Sequence, residues 1–170
     1  KLIMTTHGLS NQHKEYGDRE FALYLRRSFA KAMGYSDEAL SKPIIGIVNT
    51  FSDLNNCHHH FPQLVEAIKR GVWQAGGLPL EFPTISLGEV FLSPTSMMYR
   101  NLMSMDVEAM IKAQPLDAVV LLGGCDKTMP ALLMGAASAN LPAIAVVGGP
   151  MLTSNVDGER LGACTDCRRY

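Results

Sequence analysis

Net charge is the first thing this chain lacks: fifteen basic residues stand against sixteen acidic ones over 170 positions. A surface with no excess of either sign offers no footprint for a nucleic acid or an anionic membrane. A small molecule or another protein is the expected partner. Long apolar runs are missing too. None approaches the ~20 residues that cross a bilayer, and the opening KLIMTTHGL has no signal-peptide core, so a cytoplasmic protein is expected. Cysteine is scarce, at positions 57, 125, 164 and 167. In a Met-rich chain of ordinary domain size those thiols are expected to be reduced or metal-bound rather than paired as disulfides. Repeats and low-complexity segments are absent, which excludes solenoid, fibrous and disordered classes.

What is present is apolar mass. At 47% hydrophobic residues the chain can bury one sizeable core, and its length suggests one domain. It begins without methionine and stops at CRRY with no closing helix cap. The expectation is that residues 1–170 form an N-terminal α/β piece of something longer.

Residues 116–133, LDAVVLLGGCDKTMPALL, organise the rest. An apolar run through Val119–Leu122 reads as a buried strand breaking into the polar turn of Gly123, Gly124, Cys125, Asp126 and Lys127. Thr128 can cap the helix that follows, Pro130 suits its first turn, and good helix formers continue to Ala139. Cys125, Asp126 and Lys127 therefore stand between a strand's C-terminal end and a helix N-terminus. Ligands bind at that edge in open α/β sheets, and the helix dipole there favours anions and thiolates.

Residues 18–33 place Phe21, Leu25, Phe29 and Met33 on one helical stripe, capped by Asp18 and stopped by Gly34, and predict a packed helix. Strand 44–48 (IIGIV) reads as central. It runs into the polar loop 49–60, which holds Cys57. Helix 61–75 ends at Gly76 and Gly77, and strand 78–85 is demoted toward an edge by Pro79 and Pro83. Helix 95–112 is expected to turn Met98, Leu102, Met105 and Ala109 inward, the methionines serving as core packing. Strands 117–122 and 143–147 are joined by helix 128–139, while residues 151–170 are polar and aperiodic. Alternating strands and helices predict a doubly wound, mainly parallel sheet with helices on both faces.

In that layout Cys57, Glu89, Cys125, Asp126 and Lys127 all follow strand C-termini. Thiolates suit iron–sulfur clusters or zinc, and carboxylates suit a hard cation such as Mg²⁺, so two neighbouring inorganic centres would use both sets. The bland alternative is that both cysteines are ordinary loop residues. A phosphate-binding P-loop is excluded because Asp126 stands where glycine must precede the lysine. A cysteine nucleophile on a strand-to-helix elbow, with His58, His59 or His60 as base, is the rival enzyme reading. A non-catalytic α/β binding module is the third. Of the three adjacent histidines at most one is expected to line a site. Cys164 and Cys167 form a C-x-x-C without the second pair that zinc would need.

Four segments, NTFSDLNNCHHHF, KRGVWQAGGLPLEFPTISLGE, LLGGCDKTMPALLMGA and NLPAIAVVGGPM, together resemble the dihydroxy-acid and sugar-acid dehydratases. The resemblance covers most of residues 42–152 in the family's order. It implies an iron–sulfur cluster, 2Fe–2S favoured over 4Fe–4S, held by three cysteines of which Cys57 and Cys125 match the first two. The third is expected beyond Tyr170, so Cys164 and Cys167 are not promoted to the role. It also implies a Mg²⁺ site of Glu89, Asp126 and Lys127, the lysine as a carbamate whose oxygens can meet a cation where an ammonium cannot. The catalytic base is expected to be a serine outside this chain. SLGE followed by PTSMMYRN, and His58 beside Cys57, resemble the sugar-acid branch rather than the branched-chain amino-acid branch, which typically carries serine–aspartate–glycine there. The implied activity is dehydration of an aldonate such as arabinonate or xylonate to a 2-keto-3-deoxy acid, by a homo-oligomeric hydro-lyase.

Overall fold

The computed structural model describes residues 7–11, 17–150 and 152–162. The C-x-x-C of Cys164 and Cys167 lies outside the described residues. Four parallel strands form the sheet: β1 (Ile44–Asn49), β2 (Leu78–Pro83), β3 (Ala118–Gly123) and β4 (Ala143–Val147), in the order β2-β1-β3-β4. The near-continuous apolar runs of β1 and β3 suit strands covered on both faces. They lie side by side at the centre, with Ile47 opposite Val120 and Asn49 opposite Leu122. Pro79 and Pro83 place β2 at an edge, where a strand needs donors on one side only.

Helix α1 (Arg19–Ala32) and the short α2 (Asp37–Leu40) precede the sheet, while α3 (Phe61–Gln74), α4 (Arg100–Ala113) and α5 (Thr128–Ala139) are its crossovers. Residue alternation splits the core in two. Ile44, Val48, Val119 and Leu121 pack with Met103, Val107, Ile111, Ala131 and Leu132 of α4 and α5. Ile47 and Leu122 pack on the other side with Phe61 and Val65 of α3. The chain thus leaves β1 over one face and β3 over the other, and the strand order reverses between them. That is the topological switch point of a doubly wound sheet.

Helices α4 and α5 meet closely because Gly135 leaves room. A Cβ there would fall 2.7 Å from Ser104 O and from Val107 Cβ. This contact corrects the expected face of α4: Met103, Ser104, Val107 and Ile111 turn inward, whereas Met98, Leu102, Met105 and Ala109 are exposed. A helix with apolar residues nearly all round has no face that spacing alone can choose, and the glycine-lined approach chose it. A second correction concerns α1. Asp18 caps it as expected, but Phe21, Phe29 and Met33 are 58–70% exposed and only Ala30 is buried. Among the described residues nothing covers that stripe. The aperiodic tail also holds structure, since β5 (Ser154–Val156) and β6 (Glu159–Leu161) form a hairpin around Asp157 and Gly158. Both turn residues have positive φ, the conformation that a two-residue Asp-Gly turn requires.

Candidate functional site

Three loops leave the C-terminal ends of β1, β2 and β3, and buried polar side chains bind them to one another. The loop after β1 is built on Thr50, Asn55 and His58. Thr50 Oγ1 donates to Leu122 O of β3 at 2.9 Å, and the Cys57 amide donates to Asn55 Oδ1 at 3.2 Å. His58 is fully buried and its ring stacks on Phe61 with centroids 4.4 Å apart. Its Nδ1 lies 2.6 Å from Thr50 O, which can only accept, and its Nε2 lies 3.0 Å from the Gly124 amide, which can only donate. One neutral tautomer, protonated at Nδ1, satisfies both. Burial holds the imidazole pKa below its usual value, so that neutral form persists.

The Gly124 bond joins residues next to Cys57 and Cys125. A Cβ on Gly124 would lie 3.3 Å from the His58 ring and 3.6 Å from Cys57 O, so the two cysteine loops touch through backbone. Both cysteines are half-exposed and neither is disulfide-bonded. Cys125 takes a φ of 65°, a left-handed conformation that a residue with a side chain adopts at a cost of roughly 1–2 kcal/mol. Glycine would be cheaper there, so the position is one where a thiol is kept against local preference.

The loop after β2 closes the arrangement. Asn55 Nδ2 donates to Ser86 Oγ at 3.1 Å, and Thr128 Oγ1 donates to Leu87 O at 3.1 Å. Thr128 was expected to cap α5, but Lys127 occupies that position and the threonine hydroxyl ties the helix start to the neighbouring loop instead. Gly88 lets the loops approach, since a Cβ would meet Asn55 atoms at 3.0–3.2 Å. Glu89 accepts from Ser96 Oγ, from Thr95 Oγ1 at 2.9 Å and from the Ser96 amide at 3.3 Å, contacts that hold its carboxyl below the usual range. The neighbouring Lys127 charge acts in the same direction. Lys127 pairs with Asp126, which lowers the aspartate pKa and raises that of the lysine. Glu89 also raises it, so the ammonium sits in the field of both carboxylates.

The family model for the N-terminal region of dihydroxy-acid/6-phosphogluconate dehydratases matches residues 42–169. The chain belongs to this dehydratase family. It is 52% identical over 151 residues to the L-arabonate dehydratase of Azospirillum brasilense, covering 88% of this chain and 26% of that protein. It is 43% identical over 172 residues to the 6-deoxy-6-sulfo-D-gluconate dehydratase of Pseudomonas putida, covering 95% and 30%. A dihydroxy-acid dehydratase of Clostridium novyi is 44% identical over 140 residues, covering 79% and 25%. The chain thus spans less than a third of the length of these relatives.

In this dehydratase-family chain the five residues singled out by sequence stand on the three knitted loops. The donor set fits two kinds of centre. Two half-exposed thiols on touching loops suit a thiophilic group, and two carboxylates sharing one cationic neighbour suit a hard cation. Among the described residues no three His, Cys, Asp or Glu side chains already surround one point. The residues that hold the loops together, Asn55, His58, Ser86 and Thr128, were missed as such by sequence. Only the burial of His58 sets it apart from His59 and His60 in the HHH run. Its engagement also weakens the cysteine-hydrolase reading, because neither His58 nitrogen is available to take a proton from Cys125.

Proposed function

We propose that this chain is the N-terminal portion of a hydro-lyase that dehydrates a sugar acid, a 2,3-dihydroxy carboxylate such as arabinonate or xylonate, to a 2-keto-3-deoxy acid. The observation that carries the proposal is the hydrogen-bonded contact between the loops of Cys57 and Cys125 beside Glu89, Asp126 and Lys127. Cys57 and Cys125 would hold an iron–sulfur cluster, of the 2Fe–2S type, with a third ligand from outside the chain. Glu89, Asp126 and Lys127, the last as a carbamate, would hold Mg²⁺. When bound, the two centres supply Lewis acidity, toward the carboxylate and 2-hydroxyl for Mg²⁺ and toward the departing 3-hydroxyl for the cluster.

The chain's own groups prepare that site. Thr95 and Ser96 keep Glu89 ionised and aimed, so a hard ligand is present at neutral pH. Asp126, held below the usual carboxylate range by Lys127, is likewise a carboxylate at neutral pH. The same pairing favours the protonated Lys127 amine, so carbamate formation, in which the neutral amine adds to carbon dioxide and two protons pass to solvent, requires the lysine to leave Asp126 first. No residue of this chain is assigned as the base that takes the C2 proton.

A sugar-acid substrate is supported by SLGE at residues 86–89 and by the 52% and 43% identities to sugar-acid dehydratases. A cytoplasmic enzyme fits with no described helix being long and apolar enough to cross a membrane. Homo-oligomerisation is supported by the apolar stripe left open on α1. The test is iron, sulfide and magnesium analysis of anaerobically prepared full-length enzyme, with turnover assayed on aldonates and on branched-chain dihydroxy acids. Iron with sulfide, lost in Cys125→Ser, and aldonate turnover are expected. Wild-type enzyme without iron, or a Cys125→Ser variant with unchanged iron, refutes the proposal. Turnover confined to branched-chain acids moves the substrate to the other branch.

A further inference from the structure

We propose that His58 is a positioning residue for the cluster ligands, setting the loop of Cys57 against the loop of Cys125 through its bond to the Gly124 amide. The inference rests on the cluster reading above and adds a residue to it. His58 cannot itself be a ligand, since it is fully buried, stacked on Phe61 and engaged at both nitrogens. Its two nitrogens differ in what they join, Nδ1 also lying 3.1 Å from Ser86 Oγ and 3.2 Å from Thr50 Oγ1. Nδ1 donates to Thr50 O within the loop of Cys57, whereas Nε2 accepts from Gly124 and crosses to the loop of Cys125. Gly124 is packed directly on the ring, with space for a Cβ only at 3.3–3.4 Å from Cδ2 and Nε2. The ring is therefore a spacer of fixed width between two ligand-bearing turns.

The difference between the bonds makes the role testable. Glutamine reaches as far as Nε2 and offers an oxygen to the Gly124 amide. Asparagine reaches only as far as Nδ1 and can serve that nitrogen's neighbours, Thr50 and Ser86, but not Gly124. Both remove the stacked ring, so their loss of packing is similar. In full-length enzyme reconstituted with iron and sulfide, His58→Gln is expected to keep most of the wild-type iron, the visible absorbance and the electron-paramagnetic signal of the reduced cluster. His58→Asn is expected to hold the cluster about tenfold more weakly or worse against a chelator, the usual scale for losing a group that orients a metal ligand. Phe61→Leu, which lowers stability but leaves the hydrogen bond, serves as the control and is expected to keep the cluster signature. All are compared at a temperature where circular dichroism shows them folded. Equal retention in the two His58 variants, equal loss, the reverse order, or cluster loss in Phe61→Leu overturns the inference. Wild-type enzyme that binds no iron overturns the cluster reading itself, a separate outcome.

Discussion

Cys125 gives the sharpest test of why a thiol stands at the end of β3. Its φ of 65° costs an ordinary L-residue roughly 1–2 kcal/mol, whereas glycine adopts the same conformation freely. Glycine returns part of that gain because its unfolded chain is freer, by roughly 0.5–1 kcal/mol. The side chain is half-exposed, so little burial is lost on truncation. Cys125→Gly in metal-free enzyme should then be more stable than Cys125→Ala by about 0.5–1 kcal/mol, the alanine keeping the strain without the thiol. Cys125→Asn, whose side chain tolerates left-handed backbone, should fall between them. For a domain of this size the glycine–alanine difference corresponds to roughly 1–4 °C in melting temperature, read by circular dichroism under identical conditions. All three variants should lose the cluster. If alanine proves as stable as glycine, the strain argument fails. If any of them retains wild-type iron, Cys125 is not the ligand.

Lys127→Arg should abolish dehydration while leaving the melting temperature near that of wild type. Arginine keeps a cation in the field of Asp126 and Glu89 but cannot form a carbamate. Near-normal turnover would remove the carbamate assignment. Gly88→Ala should cost about 1–3 kcal/mol, because its methyl meets Asn55 at 3.0–3.2 Å in a buried contact. It should also weaken Mg²⁺ binding measured by calorimetry, since Glu89 is the next residue; unchanged stability together with unchanged affinity would show that the loop yields without consequence.

Much of the fold was legible because β1, β3 and the crossovers α3 and α5 carry strong local signals. IIGIV and AVVLL are apolar on both faces and bounded by glycine or polar turns, and Asp18 caps α1. Prolines at 79 and 83 announced an edge. The failures arose where tertiary contact decides. The inward face of α4 depends on a glycine in another helix, and the α1 stripe is exposed because no described element packs on it. The hairpin of β5 and β6 did have a local signal, the Asp157-Gly158 pair, which an aperiodic reading passed over. The expected placement of Cys57, Glu89, Cys125, Asp126 and Lys127 on loops after strand C-termini matches the positions of β1, β2 and β3. What spacing could not reveal was that Thr128 serves a neighbouring loop instead of its own helix.

The sheet's winding explains why both thiols sit where they do. The loop after β1 leads into α3 on one face, and the loop after β3 leads into α5 on the other. Their paths diverge from adjacent strand ends, the edge at which ligands bind in such sheets. Diverging loops have no backbone ladder to hold them once the strands end at Asn49 and Gly123. Something else must span the gap. Thr50 does so at its base by bonding Leu122, and His58 does so one layer further out by bonding Gly124. Glu89 reaches the rim from β2 at the edge, and its loop needs Asn55 and Thr128 to draw it in. The thiols therefore occupy the bridged pair of loops, Asp126 and Lys127 follow Cys125 on the second of them, and Glu89 comes from the loop after the edge strand. On the function proposed above, a group with fixed bond lengths to sulfur would suit that bridged pair of loops.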